Sequence, residues 1–464
     1  MSNIEERRVQ RRNMMLTGNL YKVIPYVAFP MIISMLIDSF YNLADTYFVS
    51  QLGTSATAAV GVNDSLLHLL RALAMGFGMG ASSIISKLLG EKKENEAGKV
   101  ATTAIYTAAI TLSLIAAVAY ILKEPMVMLL GSTEGAKPYA ISYASFILIS
   151  APFTGVEVTL SHTLRAEGST NYSMIGMTSG CVVNCLLDPL FINYFKMGVG
   201  GAALATTISK AISAFVLMIP FLRGKTIIEI KPSLFTPKWY IYKDIIRMGV
   251  PAFLRASMMS IASIVTNNVA SGFGDIALAS VSISNKVTRL MGSAILGFGQ
   301  GFQPVAGYCY GAKMYKRVRD AFIVCTKIGA VVSVFVATIL AIFAPNVVSV
   351  FAKSGDVETI RLSALIIRTQ CVTLFPHAWI MIINGLNQAL GRPVESTVVA
   401  LSRQVLCLIP CVIILTKIFG LNGLAFSQAT ADILSLFISV PIVIGELNML
   451  KRMEKEQATA NNSL

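Results

Sequence analysis

The chain has 464 residues, 55% hydrophobic and only 13% charged, with a mean hydropathy of +0.67 and a formal net charge of +14. So little charge cannot cover a water-facing surface of this size, which excludes an ordinary soluble protein. The excess of Lys and Arg falls mainly in short loops between apolar runs, so membrane topology accounts for it and no nucleic-acid partner is expected.

The chain opens on a charged arm, residues 1–19, beginning MSNIEERRVQRRNMM. No small-residue cleavage site follows the first apolar stretch, so that stretch is expected to be retained. Crossing about 30 Å of hydrocarbon takes roughly 20 apolar residues. Twelve runs of that kind are expected near 20–47, 56–87, 97–122, 138–164, 171–193, 198–222, 245–270, 277–310, 318–344, 358–389, 394–416 and 421–446. Basic residues alternate between the loops. The arm holds Arg7, Arg8, Arg11, Arg12 and Lys22, the second loop Lys87, Lys92, Lys93 and Lys99, and the segment 223–243 holds Arg223, Lys225, Lys231, Lys238 and Lys243. The intervening loops are poor in them, so both termini and the middle segment are expected in the cytoplasm of a cell membrane.

An internal repeat organises the chain. GFGMGASSIISKLLGEK (76–92) lies over GFGQGFQPVAGYCYGAK (297–313) at a shift of 221, which also brings Pro30 onto Pro251 and Gly53 onto Gly274. GVGGAALATTIS (198–209) meets GLNGLAFSQATA (420–431) at a shift of 222. Six spans per half is an even number, so the halves share one orientation and form a parallel repeat. The expected fold is all-α: a polytopic membrane protein of twelve transmembrane helices in two parallel six-helix lobes with a central cleft. The lobes would span 20–222 and 244–446, joined by a linker at 223–243 and followed by a tail at 447–464. GFGMG sits inside a span and recurs, so close helix packing is the better reading than a dinucleotide loop. No Walker A sequence is present, and no nucleophile, metal or cofactor constellation suggests an enzyme. The seven cysteines form no CxxC pair and have no His partner at ligand spacing, so neither a disulfide framework nor a metal site is expected.

Asp188 is the most conspicuous polar residue, in the greasy run GCVVNCLLDPLFI. A carboxylate in hydrocarbon costs about 2.5–3.5 kcal/mol on insertion scales, so it marks a candidate site. Asn184 precedes it by four residues, on the same helical face. Pro189 lacks an amide hydrogen and would free the carbonyl of Cys185. A plainer alternative has Pro189 ending the helix with Asp188 in the headgroup region.

The segments YNLADTYFVSQLG, LRAEGSTNY, NCLLDPLFI, GVGGAALAT and GLNQALGRP, in this order over nearly the whole chain, resemble the MATE (multidrug and toxic compound extrusion) transporters. The resemblance implies alternating-access export of bulky, amphipathic, often cationic compounds, driven by inward H⁺ or Na⁺. It implies that Asp45 and Asp188 share a cavity of the first lobe, with Asn184, Tyr143, Ala202 and Thr206 as further members of a cation-coupling site, which Na⁺ could also occupy. It also implies that the first helix bends on protonation, and Pro30, mid-helix, would be its hinge. The second half lacks the acid pair, since Asp45 maps near Thr266 and Asn267 and Asp188 near Pro410. Coupling is therefore expected to rest on the first half. Glu157 either faces the cleft or is a buried partner of a neighbour such as His162. Arg255 is a cleft candidate, a structural counter-ion or an interface residue, and Met35 and Met259 are cleft candidates because methionine re-packs around varied ligands. Asp38, Arg289, His377, Arg403 and Asp432 are further polar residues within apolar runs. A lipid or polysaccharide-precursor flippase of the same two-lobed plan is the alternative. The protein is expected to act as a monomer, without cofactor.

Overall fold

The computed structural model describes residues 3–132, 135–350 and 357–462. These are almost entirely helical: α1 (Asn3–Thr17), α2 (Leu20–Ser50), α3 (Thr54–Gly90), α4 (Glu94–Ile121), α5 (Lys123–Leu129), α6 (Lys137–Ala166), α7 (Thr170–Pro189), α8 (Gly198–Leu222), α9 (Trp239–Ser271), α10 (Asp275–Gly311), α11 (Tyr315–Ser349), α12 (Val357–Val372), α13 (Leu374–Ala389), α14 (Pro393–Leu401) and α15 (Ile409–Asn462). Among the described residues nine helices are long and apolar enough to cross a membrane, and α12 with α13, bent by 52°, makes a tenth. α10 supplies another long helix, and α15 is two helices meeting at Gly420, where φ is 57° and ψ −134°. The twelve expected runs thus each find a helical segment. The polar arm adds α1, and the charged tail continues α15, supported by an Arg452–Glu456 pair at 2.9 Å.

The repeat is visible in the backbone as well as in the residues. Gly53 and Gly274 precede α3 and α10 with φ of 102° and 96°, a region that favours glycine, and Lys92 and Lys313 close the same helices with φ of 65° and 58°. These pairs stand at the shift of 221 that aligns the sequences.

Contacts divide the chain into two compact units. One comprises the chain up to Met15 with Ile33–Phe253, the other Leu16–Ile32 with Leu254 onward. Each unit therefore takes the opening half of the other repeat's first long helix, and the two break points again lie 221 residues apart. The glycines explain the exchange. In the first unit a Cβ on Gly80 would lie 2.2 Å from the Ile245 carbonyl oxygen, and one on Gly249 would lie 2.2 Å from that of Gly76. In the second, a Cβ on Gly301 would lie 2.4 Å from Ala28 Cα and one on Gly297 would lie 2.8 Å from Ile32 Cα. GFGMG and GFGQG are thus the flat surfaces against which α9 and α2 dock, the use expected of small residues in membrane helices.

The arm is anchored on the first unit. Buried Met15 meets Gly168, and Arg11 reaches Glu167 at 3.3 Å and the Ser169 hydroxyl. Glu167 also accepts the backbone amides of Ile227 (2.8 Å) and Ile228 (3.1 Å), so one carboxylate ties the arm, the α6–α7 turn and the linker together. Burial pushes its pKa up, against the lowering by Arg11, Ser169 and the two amides.

Gly80→Val and Gly301→Val should each destabilise the detergent-solubilised protein by about 1–3 kcal/mol or more through overpacking. Gly61→Ala, where a Cβ meets nothing within 4 Å, should not. Thermal unfolding followed by tryptophan fluorescence checks this, and equal effects at the three positions would contradict the packing argument.

Candidate functional site

Four helices of the first unit carry polar residues at helical spacing, and these stripes face one another. On α2 they are Asp38, Tyr41 and Asp45; on α6 Tyr143, Glu157, Ser161 and Arg165; on α7 Ser173, Met177, Cys181, Asn184 and Asp188; on α8 Thr206, Lys210 and Ser213. Such a row costs too much facing lipid, so it turns inward.

The end of this interior farther from the linker is acidic. Thr206 Oγ1 accepts a hydrogen bond from Asn184 Nδ2 at 3.3 Å and shares one with the Tyr41 hydroxyl at 3.4 Å, which pins α2, α7 and α8 together. Asn184, Thr206, Tyr143 and Ala202 are buried, and Asp188 is 0% exposed. Its helix does not stop at Pro189: the chain continues as a π-helical turn, Leu190–Tyr194. Asp188 is therefore buried in the interior of the protein. The charge of Asp45 acts on Asp188, and both act on the Tyr41 and Tyr143 hydroxyls between them. Oδ1 of Asp45 is a buried atom with no hydrogen-bond partner among the described residues. Asp64, exposed about three turns into α3, adds a third carboxylate within electrostatic reach of Asp45 and Tyr143. All six residues expected in the coupling site thus lie in this unit, with Tyr41 and Asp64 as members the sequence reading missed. The donors are hard oxygens, suited to a proton or a small monovalent cation.

Toward the linker the same stripes become a network of ion pairs. Arg71 Nη2 of α3 meets Asp38 Oδ2 at 2.8 Å, and Lys210 Nζ meets Glu157 Oε2 at 3.0 Å. Ser213 donates to Glu157 at 2.9 Å, while Arg165 donates to Ser173 at 3.0 Å and to the Met177 sulfur at 2.8 Å. Glu157 is therefore a buried partner of Lys210, and the His162 ring packs against Gly78. Arg71, Arg165 and Lys210 were not singled out in the sequence, although Lys210 follows Thr206 by one turn.

The remaining candidates are dispersed. Met35 is buried in the first unit, and its carbonyl accepts the Ser39 hydroxyl at 3.1 Å. Pro30 is buried in the part of α2 that belongs to the second unit, where α2 runs on as one helix. Met259 is 47% exposed. Arg255 is half-buried within electrostatic reach of Arg403 and His377. Arg403 pairs with Asp432 at 2.7 Å, and Gln428 (2.9 Å) and Thr373 (3.4 Å) complete that carboxylate's partners. Arg289 is exposed on α10.

Fold and site together define a multi-pass helical membrane protein built from a tandem repeat, with an ionisable cluster inside its first unit. A family model for MatE matches residues 30–190 and 251–414, one match in each repeat. The chain belongs to the MatE family. It is similar to the multidrug export protein MepA of Staphylococcus saprophyticus, 27% identical over 427 residues that cover 92% of this chain and 94% of that protein. It is equally similar to MepA of Staphylococcus aureus strain MRSA252, at 27% over 425 residues, covering 91% and 93%. Among solved structures it resembles an outward-facing multidrug resistance MATE family transporter of the MOP superfamily, with a TM-score of 0.90 and 27% identity over 95% of this chain and 98% of that one. It also resembles a MOP superfamily transporter from Pyrococcus furiosus Vc1, described as having a binding pocket of reverse polarity that suggests a different function, with a TM-score of 0.89 and 28% identity over 94% and 98%.

Thr206→Val should destabilise the protein by about 1–3 kcal/mol, because the buried Asn184 amide loses its acceptor, whereas Thr206→Ser should stay near the parent. Thermal unfolding of the purified variants measures the difference.

Proposed function

We propose that this protein is a multidrug efflux antiporter of the cell membrane, exporting amphipathic, often cationic small molecules by alternating access in exchange for inward H⁺ or Na⁺. Its relatives carry the name of multidrug export proteins, and the acid cluster supplies a reason for ion coupling. The observation that carries the reading is that Asp188 is fully buried on α7 beside the Asn184–Thr206–Tyr41 hydrogen bonds, within electrostatic reach of Asp45 on α2 of the same unit.

Two neighbouring carboxylates away from water are costly when both are charged, so binding a proton or Na⁺ between them is favourable. Asn184, Thr206, Tyr143 and the Ala202 backbone oxygen complete the set of oxygen donors. Ion binding in the outward-facing state neutralises the pair and removes the repulsion holding α2 in its ion-free position, with Pro30 as the flexible point of that helix. Export follows because the ion and the drug prefer different states, so each shifts the equilibrium the other needs. Arg255, half-buried, and Met259, exposed, are the proposed residues for drug contact, whereas Met35 and Glu157 are buried within the first unit. Both termini and the linker lie in the cytoplasm, and one chain suffices.

A second reading, a flippase for lipid or polysaccharide precursors, draws on the cationic cluster of the second unit, where Arg255, Arg403 and His377 stand with the single carboxylate Asp432. Vesicles holding the purified protein and a fluorescent organic cation separate the readings. Export is expected under a pH gradient alone or a sodium gradient alone, and Asp188→Asn should slow it at least about tenfold. An Asp188→Asn rate equal to the parent under both gradients would overturn the coupling site. Movement of an anionic pyrophosphate-linked lipid without movement of the dye would favour the flippase.

A further inference from the structure

We propose that the network of Asp38, Arg71, Glu157, Lys210 and Arg165 is an electrostatic stop. It lets the coupling cation reach Asp45 and Asp188 from the far side and bars it from continuing toward the linker through the same helices. The inference rests on the reading of those two aspartates as the coupling site.

The placement comes from the shared stripes. Lys210 follows Thr206 by four residues on α8, about 6 Å along the axis, and Asp38 precedes Asp45 by seven on α2, about 10 Å. Between them Tyr41 sits three residues after Asp38 and four before Asp45, and its hydroxyl reaches Thr206 at 3.4 Å. On α7, Cys181 comes one turn before Cys185, and it lies within electrostatic reach of Asp38, Lys210, Glu157 and Arg71. The end of α6, the start of α7 and the end of α8 all lead to the linker, where Glu167 holds Ile227 and Ile228. A cation leaving the acid pair in that direction therefore meets the ion pairs next.

Three cations face two carboxylates there, leaving one positive charge in excess. Asp38 and Glu157 act on each of Arg71, Arg165 and Lys210, and the cations also act on one another. The pairs satisfy the charges, with side chains 37% exposed for Arg71, 24% for Lys210 and 6% for Glu157. A fixed excess charge in a poorly solvated interior repels a mobile cation over a longer range than it would in water. An antiporter needs such a barrier, because a cation that passed straight through would dissipate the gradient without moving drug.

Packing alone does not demand this sign of charge. At the repeat shift of 222, Lys210 falls on Asp432, and the second unit uses that carboxylate to hold Arg403 at 2.7 Å. Both halves place an ion pair at this position, and the half containing the acid pair has the lysine.

The test uses the full-length protein in liposomes without drug, measuring ²²Na⁺ uptake and, separately, decay of an imposed pH gradient. Lys210→Met should raise drug-free flux of the coupling ion roughly tenfold, the effect of a unit charge about 10 Å away at an effective dielectric of about 20, and should tighten cation binding by a similar factor. Glu157→Gln should weaken cation binding, and Lys210→Arg should behave as the parent. Should Lys210→Met fold poorly, the double variant Lys210→Met with Glu157→Gln preserves the charge excess and should remain tight to the ion, while Arg71→Gln should leak. Unchanged flux in both Lys210→Met and Arg71→Gln overturns the proposal, as do Lys210→Met and Glu157→Gln shifting affinity in the same direction. Asp188→Asn in the same vesicles separates the two failures. If it uncouples export while Lys210→Met stays tight, only the stop is wrong; if it exports like the parent, the coupling site and the stop fall together.

Discussion

The cost of placing charge away from water governs the first unit. A polar or ionised side chain in hydrocarbon lacks solvent, so it is stable only when turned toward partners inside the bundle. Four helices meet that cost together by aligning one polar stripe each. Thr206 shows the economy of the arrangement: one hydroxyl accepts from Asn184 and contacts Tyr41, fixing three helices around the place where Asp45 and Asp188 act on one another. Moving any stripe by one residue would turn it roughly 100° away from the others.

The stripe has a gradient of sign, and that gradient converts a structural necessity into a directional one. One end holds the carboxylates Asp45 and Asp188, and the other holds Arg71, Arg165 and Lys210 against Asp38 and Glu157, with Tyr41 and Cys181 lying between. Ion pairing alone would be satisfied by any order of charges along the helices. Segregation creates a field along the bundle, negative at the acid end, so the same residues that hold the helices together also polarise the interior.

Much of this was legible in the sequence, for identifiable reasons. Asp188 stood out because an acid before a proline breaks an apolar run, and the resemblance supplied Asp45, Tyr143, Ala202 and Thr206 as its companions. The twelve apolar runs were legible because hydrocarbon thickness sets their length. Lys210, Arg71 and Arg165 escaped because basic residues were read through their loop distribution, and a lone cation within a span has no local signature of its partner. Glu157 belongs with Lys210, 53 positions away, and no short-range pattern connects them. The glycines were recognised as packing residues, but what they pack against was not, since Gly80 meets α9 and Gly301 meets α2 from opposite ends of the chain.

That last exchange bears on mechanism. α2 carries Ala28 and Ile32 in the second unit and Asp38, Tyr41 and Asp45 in the first, so one continuous helix contributes to the glycine packing of one unit and to the polar interior of the other. The opening half of that helix is seated on Gly297 and Gly301. Pro30 lies within that seated half, two residues before the break, where the missing amide hydrogen weakens the helix without breaking it. α9 repeats the geometry with Pro251, and carries the uncharged Thr266 and Asn267 where α2 has Asp45. The two helices thus share a form and differ in that α2 carries a carboxylate, Asp45, where α9 has uncharged side chains. The difference between the halves is thus a property of side chains placed on a nearly symmetric frame.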